Sequence, residues 1–221
     1  MRFHPLTAGP LAAALTFALA VAPFPARACE PGETGVPDLD SSIVTWRLGA
    51  GQSATLLVVP DGSGPPFSAA RNAAGMLVDV TITLQLVDTC GDPIFMFPPE
   101  DMWIQSADQG VAWCLGGACA DGPTDRFGQA HWVLPRRAGG NSQAACEVLF
   151  NGMVVNNGGP LPLRFNSPDL NGDLEVGLVD IVLFSEAYFG AYQAAADFTA
   201  DGVLNITDIA IMAGARGAHC P

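Results

Sequence analysis

Two twelve-residue stretches near the C-terminus carry oxygen-bearing side chains at the same spacing. They are Asp169–Asp180 (DLNGDLEVGLVD) and Asp197–Asp208 (DFTADGVLNITD), which begin 28 residues apart. Each has Asp at positions 1, 5 and 12, an oxygen-bearing residue at position 3 and an apolar residue at position 8. This pattern suits a hard cation, which takes about six to eight oxygen ligands. We therefore predict that both stretches, called loop 1 and loop 2, bind calcium.

The predicted ligands are side-chain oxygens together with one backbone carbonyl in each loop. In loop 1 they are Asp169, Asn171, Asp173, Asp180 and the carbonyl of Glu175; in loop 2 they are Asp197, Thr199, Asp201, Asn205, Asp208 and the carbonyl of Val203. From the start of loop 1 to the end of loop 2 there are eight acidic residues and no Lys or Arg. Folding so much negative charge into a short segment is unfavourable unless a cation neutralises it.

The two loops differ at position 6, where calcium loops of this kind turn sharply and carry Gly. Loop 1 has Leu174 there, with Gly172 two residues earlier, whereas loop 2 has Gly202. A non-glycine residue held at positive φ costs about 1–3 kcal/mol. We therefore predict two calcium ions, with loop 2 the tighter site. The alternative is a pair of Asx-rich turns without metal.

A helical pattern follows each terminal Asp, and the first pattern stops at Gly190. No amphipathic helix precedes Asp169, so each unit is a loop followed by a helix. From Asp169 to the C-terminus, this duplicated arrangement resembles the dockerin type I module.

The dockerin resemblance implies paired calcium loops whose helices dock onto a cohesin domain of another extracellular protein. The contacts implied at positions 10, 11, 17 and 18 are Leu178, Val179, Ser185 and Glu186, then Ile206, Thr207, Ala213 and Gly214. These residues differ from the Ser-Thr and basic pattern of cellulosomal dockerins, so the resemblance supports the calcium prediction more than a cohesin partner.

Residues 1–28 have the features of a secretory signal. Arg2 gives a basic start, Leu11–Ala22 is apolar but too short to span a bilayer, and small residues precede Cys29. No later stretch could span a membrane. We predict a secreted, extracellular protein. Lipidation of Cys29 is the alternative, which the small Ala26 fits poorly.

The charge balance limits the class of partner. The chain has a formal net charge of −13, with 22 acidic residues against nine Arg and no Lys. Such a surface argues against nucleic acid or an anionic membrane as the partner.

All six cysteines follow the predicted signal: Cys29, Cys90, Cys114, Cys119, Cys146 and Cys220. An even number in an exported chain predicts three disulfides and leaves the pairing open. Cys114 and Cys146 flank the same predicted strand, which favours that pair, and Cys29 fits either Cys90 or Cys220. A metal site at Cys114 and Cys119 is the alternative, although an oxidising compartment favours a disulfide.

The middle of the chain has the pattern of short β-strands. Val78 to Leu86 alternates, with apolar residues at even numbers and polar residues at odd numbers, which predicts a half-buried strand. Asn151-Gly152 predicts a hairpin turn within Cys146–Val155. The other predicted strands are Ile43–Leu48, Ala54–Val59, Met102–Gln105, Gln129–Leu134 and Leu161–Phe165. Many short strands separated by turns predict a β-sandwich.

The segment from about Val78 to Val155 resembles bacterial Ig-like domains of the invasin kind. The resemblance rests on Asp88-Thr-Cys-Gly-Asp-Pro93 and Thr124-Asp-Arg-Phe-Gly-Gln-Ala130. It implies a scaffold or adhesive module. The predicted architecture is mainly β: a signal over 1–28, an Ig-like β-sandwich over 29–165, and a small α-helical dockerin-like module over 166–221.

Few residues could support catalysis. Outside the signal and the extreme C-terminus the only histidine is His131, and Glu100 and Asp101 are adjacent rather than facing across a cleft. Sequence motifs of nucleophilic, zinc-dependent or phosphate-transfer enzymes are absent. We therefore predict a non-catalytic calcium-binding protein that mediates extracellular protein–protein assembly. The alternative is a carbohydrate-binding accessory protein in polysaccharide degradation, with sugar rings stacking on Trp46, Trp103, Trp113 or Trp132.

Overall fold

The computed structural model describes residues 35–49, 51–155 and 157–221. The predicted signal over 1–28, Cys29 and the alternative of its lipidation lie outside these residues.

The described chain is mainly β, as the sequence predicts. Its strands are β1 Ile43–Trp46, β2 Ala54–Leu57, β3 Ala70–Asn72, β4 Leu77–Val78, β5 Ile82–Gln85, β6 Met102–Ser106, β7 Val111–Trp113, β8 Gln129–Trp132, β9 Ala138–Gly140, β10 Cys146–Phe150, β11 Met153–Val154 and β12 Leu163–Asn166. The two α-helices, α1 Leu178–Phe189 and α2 Ile206–Ala215, follow all the strands. We call residues 35–166 the β region and residues 167–221 the C-terminal region.

The strands form four small sheets around one hydrophobic core. Their orders are β1-β5-β8, β11-β10-β6, β12-β2-β3-β4 and the two-stranded ribbon β7-β9. The pairs are antiparallel except for β12 and β2, which run parallel with Leu163 opposite Ala54. Buried side chains from all four sheets, including Leu56, Ile82, Ile104 and Ala138, belong to the same core. The last strand thus returns to the start of the β region before the chain enters loop 1.

The alternating segment from Val78 to Leu86 is only partly a strand. Its inward residues Val80, Ile82, Leu84 and Leu86 are all buried, as the alternation predicts. The ladder nevertheless breaks between β4 and β5, where the Asp79 carboxylate accepts hydrogen bonds from the amide and hydroxyl of Thr81. A side chain that bonds its own neighbouring backbone competes with strand pairing, which explains the interruption.

The hairpin predicted at Asn151-Gly152 is confirmed. Phe150 of β10 pairs with Met153 of β11, and Asn151 and Gly152 both have positive φ, as a tight hairpin turn of the primed type requires. Strands β3, β7 and β9 were not predicted, because each is only three residues long and lacks a clear alternating pattern.

The two motifs of the Ig-like resemblance organise turns. Asp88 accepts amide hydrogen bonds from Gly35, Cys90 and Asp92, and these bonds, led by that of Gly35, lower the pKa of its carboxyl group. The buried Thr124 hydroxyl donates to the carbonyl of Ile94 and accepts from the amide of Phe97. Both motifs therefore fix the loops between strands rather than forming a reactive site.

The four tryptophans pack on the core of the β region. Trp132 is fully buried, and its indole N–H donates to the carbonyl of Ala118 at 3.0 Å. Trp46, Trp103 and Trp113 are partly buried against the same core. Of the four rings predicted to stack on a sugar, Trp132 is therefore excluded by its burial.

The disulfide pattern differs from the one predicted. Cys114 is bonded to Cys220, not to Cys146, and their Cα atoms lie 5.7 Å apart. Cys90 is in a disulfide as well, whereas Cys119 and Cys146 are free thiols. The prediction that all six cysteines pair is therefore wrong.

The two free thiols lie on opposite sides of strand β6. Cys146 pairs with Ser106 on one side, and Cys119 forms a bridge with Trp103 on the other. They are separated by two strand spacings of about 4.8 Å each. The sum of the two spacings is larger than the Cα separation of about 7 Å beyond which a disulfide cannot form.

Candidate functional site

Loops 1 and 2 have the same hydrogen-bonded frame, built by the acids at positions 1 and 12. The position-1 carboxylate accepts from the position-6 amide: Asp169 from Leu174 and Asp197 from Gly202, both at 2.8 Å. The position-12 carboxylate accepts from the amides at positions 3 and 9: Asp180 from Asn171 and Gly177, Asp208 from Thr199 and Asn205. The sequence repeat is therefore also a repeat of local structure.

Four carboxylates in this frame are buried. Asp169, Asp180, Asp197 and Asp208 are each at most 2% exposed. The ion pairs within the described ranges join Arg47 to Asp79 and Arg136 to Asp121, so none of them involves a loop acid. Burial raises the pKa of Asp169, and the negative charges of Asp180 and Asp173 add to this effect, while amide donors from Leu174 and Gly172 oppose it. Buried like charges without a cation are unfavourable.

In loop 1 the carboxylates converge on one point. Ligand oxygens of Asp169, Asp173 and Asp180 all lie within 4.8 Å of one another. Asn171 completes the group, because its side-chain amide donates to Asp173 at 2.8 Å. An all-oxygen donor set of three carboxylates and an amide fits a hard cation such as Ca²⁺.

In loop 2 the equivalent side chains are held apart. The described residues contain no second trio of carboxylates that meets at that distance. The Tyr192 hydroxyl donates to Asp197 at 2.8 Å, and the Asn205 amide donates to Asp201 at 3.3 Å. The Thr199 hydroxyl lies 3.3 Å from an oxygen of Asp197 and 3.2 Å from one of Asp208.

Both loops require positive φ at positions 4 and 6. In loop 1 these residues are Gly172 and Leu174, each with a φ of 72°; in loop 2 they are Ala200, with 52°, and Gly202, with 85°. Each loop thus has one glycine and one strained residue, in opposite order. The positive φ expected of Leu174 is confirmed, whereas the strained Ala200 in loop 2 was not considered in the sequence-based comparison.

The β region supports loop 1 through an unusually close approach. The amide of Gly140 donates to the carbonyl of Asp169 at 2.7 Å. A Cβ atom on Gly139 would lie 1.7 Å from the Asp169 carboxylate, so only glycine fits there. These glycines were not among the predicted site residues, although a Gly-Gly pair within a strand signals such an approach.

The β region also supports loop 2, by other contacts. The side-chain amide of Asn166 donates to the carbonyl of Asp197 at 2.7 Å and to that of Ala194 at 2.6 Å. Gly75, in the turn between β3 and β4, packs against Asp201. Tyr192 and Asn166 were not predicted either, because neither belongs to the repeated pattern.

The helices begin at position 10 of each loop, so the predicted partner contacts lie on helices rather than in loops. Leu178 and Ile206 are 77% and 72% exposed, and Val179, Glu186, Thr207, Ala213 and Gly214 are exposed too. Ser185 is half-buried and donates its hydroxyl hydrogen bond to the carbonyl of Ile181. A groove of about 300 Å³ lies between α1 and α2 and is lined mainly by apolar side chains.

The weaker catalytic candidates have structural surroundings. His131 lies in β8 opposite Thr83 of β5, with its Nδ1 atom 3.1 Å from the threonine hydroxyl. Glu100 and Asp101 are in one short 3-10 turn, Pro99–Asp101, before β6. Glu100 and Asp101 lie near the free thiol of Cys119. Burial raises the pKa of this thiol and the two negative charges add to the effect, which disfavours the reactive thiolate.

No protein-family model matches the chain, and searches of the curated proteins and of the solved structures return no significant match. Neither described α-helix is long enough to cross a bilayer, which takes about 20 residues. The geometry of the two loops therefore carries the functional argument.

Proposed function

We propose that the chain is a secreted, non-catalytic protein that binds two calcium ions and mediates extracellular protein–protein assembly. In this proposal an Ig-like β-sandwich carries a dockerin-like module. One observation carries the proposal: the same frame of buried carboxylates occurs twice, and no described cation neutralises either copy.

Calcium would be held by oxygen ligands from each loop. In loop 1 these are the side chains of Asp169, Asn171, Asp173 and Asp180 with the carbonyl of Glu175; in loop 2 they are those of Asp197, Thr199, Asp201, Asn205 and Asp208 with the carbonyl of Val203. A bound ion would neutralise the buried charge. It would thereby contribute to the folding free energy of the C-terminal region.

The exposed apolar residues at the start of the helices support a protein partner. Leu178, Val179 and Ile206 are all exposed, and Phe189 at the end of α1 is 86% exposed. Large apolar side chains exposed on two neighbouring helices are typical of protein interaction sites. Carbohydrate binding has less support, because Trp132 is fully buried.

The calcium part of the proposal is tested on the whole mature chain. Calorimetry is expected to give two bound calcium ions, and EDTA is expected to lower both the melting temperature and the helical circular dichroism signal. At a free calcium concentration of about 100 times the Kd of a site, binding there stabilises the folded state by about 2.7 kcal/mol. Absence of calcium binding at millimolar concentration would overturn the proposal.

The assembly part is tested by capture of a partner from the native secretome. Capture is expected to need calcium and to be lost in the double variant Leu178→Asp and Ile206→Asp. Leu115→Asp is the matched control, because Leu115 is 98% exposed but lies in the β region. Equal capture by all three proteins would contradict a binding face on the helices.

A further inference from the structure

The C-terminal end of the chain pairs with loop 1. The amide of Val176 donates to the carbonyl of Ala218 at 2.8 Å, and the amide of Gly217 donates back to Val176 at 3.0 Å. The amide of Cys220 donates to the carbonyl of Leu174 at 3.3 Å, and Glu175 forms an antiparallel bridge with His219. Residues 217–220, called the C-terminal segment, therefore hold positions 6 to 8 of loop 1.

The C-terminal segment is covalently tied to the β region. Cys220 is bonded to Cys114, which directly follows β7 and whose amide donates to the carbonyl of Arg137. Position 1 of loop 1 contacts the same β7-β9 ribbon through Gly140. Loop 1 is thus attached to the β7-β9 ribbon at two places. Position 1 is bonded to it directly, and positions 6 to 8 are attached through the C-terminal segment and its disulfide.

Loop 2 has no equivalent bond. Its contacts with the β region, from Asn166 and Gly75, are noncovalent. The disulfides recorded for the described residues involve Cys90, Cys114 and Cys220, and none of these belongs to loop 2. Any effect of the Cys114–Cys220 bond on metal binding is therefore expected at loop 1 alone.

We propose that the Cys114–Cys220 disulfide is a clamp that sets the calcium affinity of loop 1. It holds the C-terminal segment against loop 1 and so restrains the backbone on both sides of Glu175, whose carbonyl is a proposed ligand. This inference rests on the proposed calcium function. It adds that Cys220, which lies outside both loops, affects the calcium affinity of loop 1. Cys220 acts here as a positioning residue.

The physical reason is chain entropy. Four residues, Arg216 to His219, lie between the end of α2 and Cys220 and belong to no helix or strand, so their backbone is free to move unless it is tied down. Without the bond, calcium binding would have to order this segment together with positions 6 to 8. Fixing the backbone of one residue costs about as much free energy as a tenfold change in Kd.

The test measures each loop separately in the full mature chain. Asp201→Ala leaves loop 1 as the intact site, and Asp173→Ala leaves loop 2. In each background, the double variant Cys114→Ser and Cys220→Ser is compared with the unmodified cysteines by calcium calorimetry. The clamp predicts a loss of roughly tenfold in loop 1 affinity and less than about twofold in loop 2. Cys119→Ser is the control, since that thiol is unpaired.

The outcomes separate the two proposals. If the Asp201→Ala chain with its disulfide binds no calcium, the proposed function fails. If it binds calcium and the serine variants leave loop 1 unchanged, or weaken both loops equally, the clamp is overturned. Hydrogen exchange without calcium gives a second measurement. The amides of Val176 and Cys220, which donate to Ala218 and Leu174, are expected to exchange faster in the double serine variant than in the wild-type chain, and equal exchange would contradict the clamp.

Discussion

Loop 1 and loop 2 share a backbone and differ in what surrounds it. In both, the acids at positions 1 and 12 bond the same amides, and positions 4 and 6 have positive φ. Loop 1 lies against glycines of the β7-β9 ribbon and is held from the other side by the C-terminal segment. Loop 2 contacts the β region through the Asn166 side chain and Gly75.

The donor sets differ in a related way. In loop 1 the position-5 carboxylate accepts from Asn171 at position 3, and ligand oxygens of Asp169, Asp173 and Asp180 lie within 4.8 Å of one another. In loop 2 the position-5 carboxylate accepts from Asn205 at position 9, and Asp197 accepts from Tyr192. The described residues contain no trio of loop 2 carboxylates that meets at that distance. We therefore expect loop 1 to bind calcium more tightly, the reverse of the order predicted from position 6.

The largest expected effect comes from removing the position-5 carboxylate in each loop. Asp173→Ala is expected to abolish the tighter calcium site and Asp201→Ala the weaker one. Both residues are exposed, so the variants are expected to fold. Loss of an outer-shell partner costs about 10- to 100-fold in metal affinity, and loss of a direct ligand is expected to cost at least the upper figure. If calorimetry shows that Asp201→Ala removes the tighter site, loop 2 is the tighter site, as predicted from position 6.

A smaller effect is expected from adding a methyl group, by a Gly-to-Ala substitution, where each loop contacts the β region. Gly139→Ala places a Cβ against the Asp169 carboxylate, so we expect weaker calcium binding at loop 1 and a loss of about 1–3 kcal/mol in unfolding free energy. Gly75→Ala, whose Cβ would lie 2.9 Å from that of Asp201, is the loop 2 counterpart.

Denaturant unfolding and calcium titration of both glycine variants check this selectivity. Each substitution is expected to weaken its own loop and to leave the other unchanged. If Gly139→Ala affects both loops equally, the ribbon supports the whole C-terminal region rather than loop 1.

The smallest expected effect comes from the strained non-glycine residue of each loop, which is Leu174 at position 6 of loop 1 and Ala200 at position 4 of loop 2. Leu174→Gly and Ala200→Gly each remove a non-glycine residue from positive φ, which costs roughly 1–2 kcal/mol. The greater freedom of glycine in the unfolded chain offsets about 0.5–1 kcal/mol of this gain. We therefore expect similar increases in unfolding free energy, each below about 1 kcal/mol. A gain confined to Leu174→Gly would show that only loop 1 is strained.

The sequence alone predicted features that depend on local pattern. The repeated acids located both loops, the alternation located the buried residues from Val80 to Leu86, and Asn151-Gly152 located a hairpin. In each case a few neighbouring residues determine the structure, so their spacing is sufficient evidence.

Features that depend on distant residues were not predicted. Cys114 and Cys220 are separated by 106 positions, and nothing in their spacing distinguishes this pair from Cys114–Cys146. The close approach of Gly139 to Asp169 depends on how β9 packs against the start of loop 1. Ala200 at positive φ could have been inferred only by aligning it with Gly172 in the other loop.

Each position-12 acid joins its loop to the start of the helix that follows. Asp180 accepts an amide hydrogen bond from Leu170 in loop 1 and one from Gly177 at the helix start, so a single side chain joins the two. The helices have only 12 and 10 residues, and isolated helices shorter than about 12–15 residues are marginal because their first turn is costly to nucleate. An ion that closes each loop assembles that first turn at the same moment. In the proposed function, nucleation of α1 and α2 therefore follows arrival of the ion, and the helical structure of the newly exported chain grows at a rate set by calcium outside the cell.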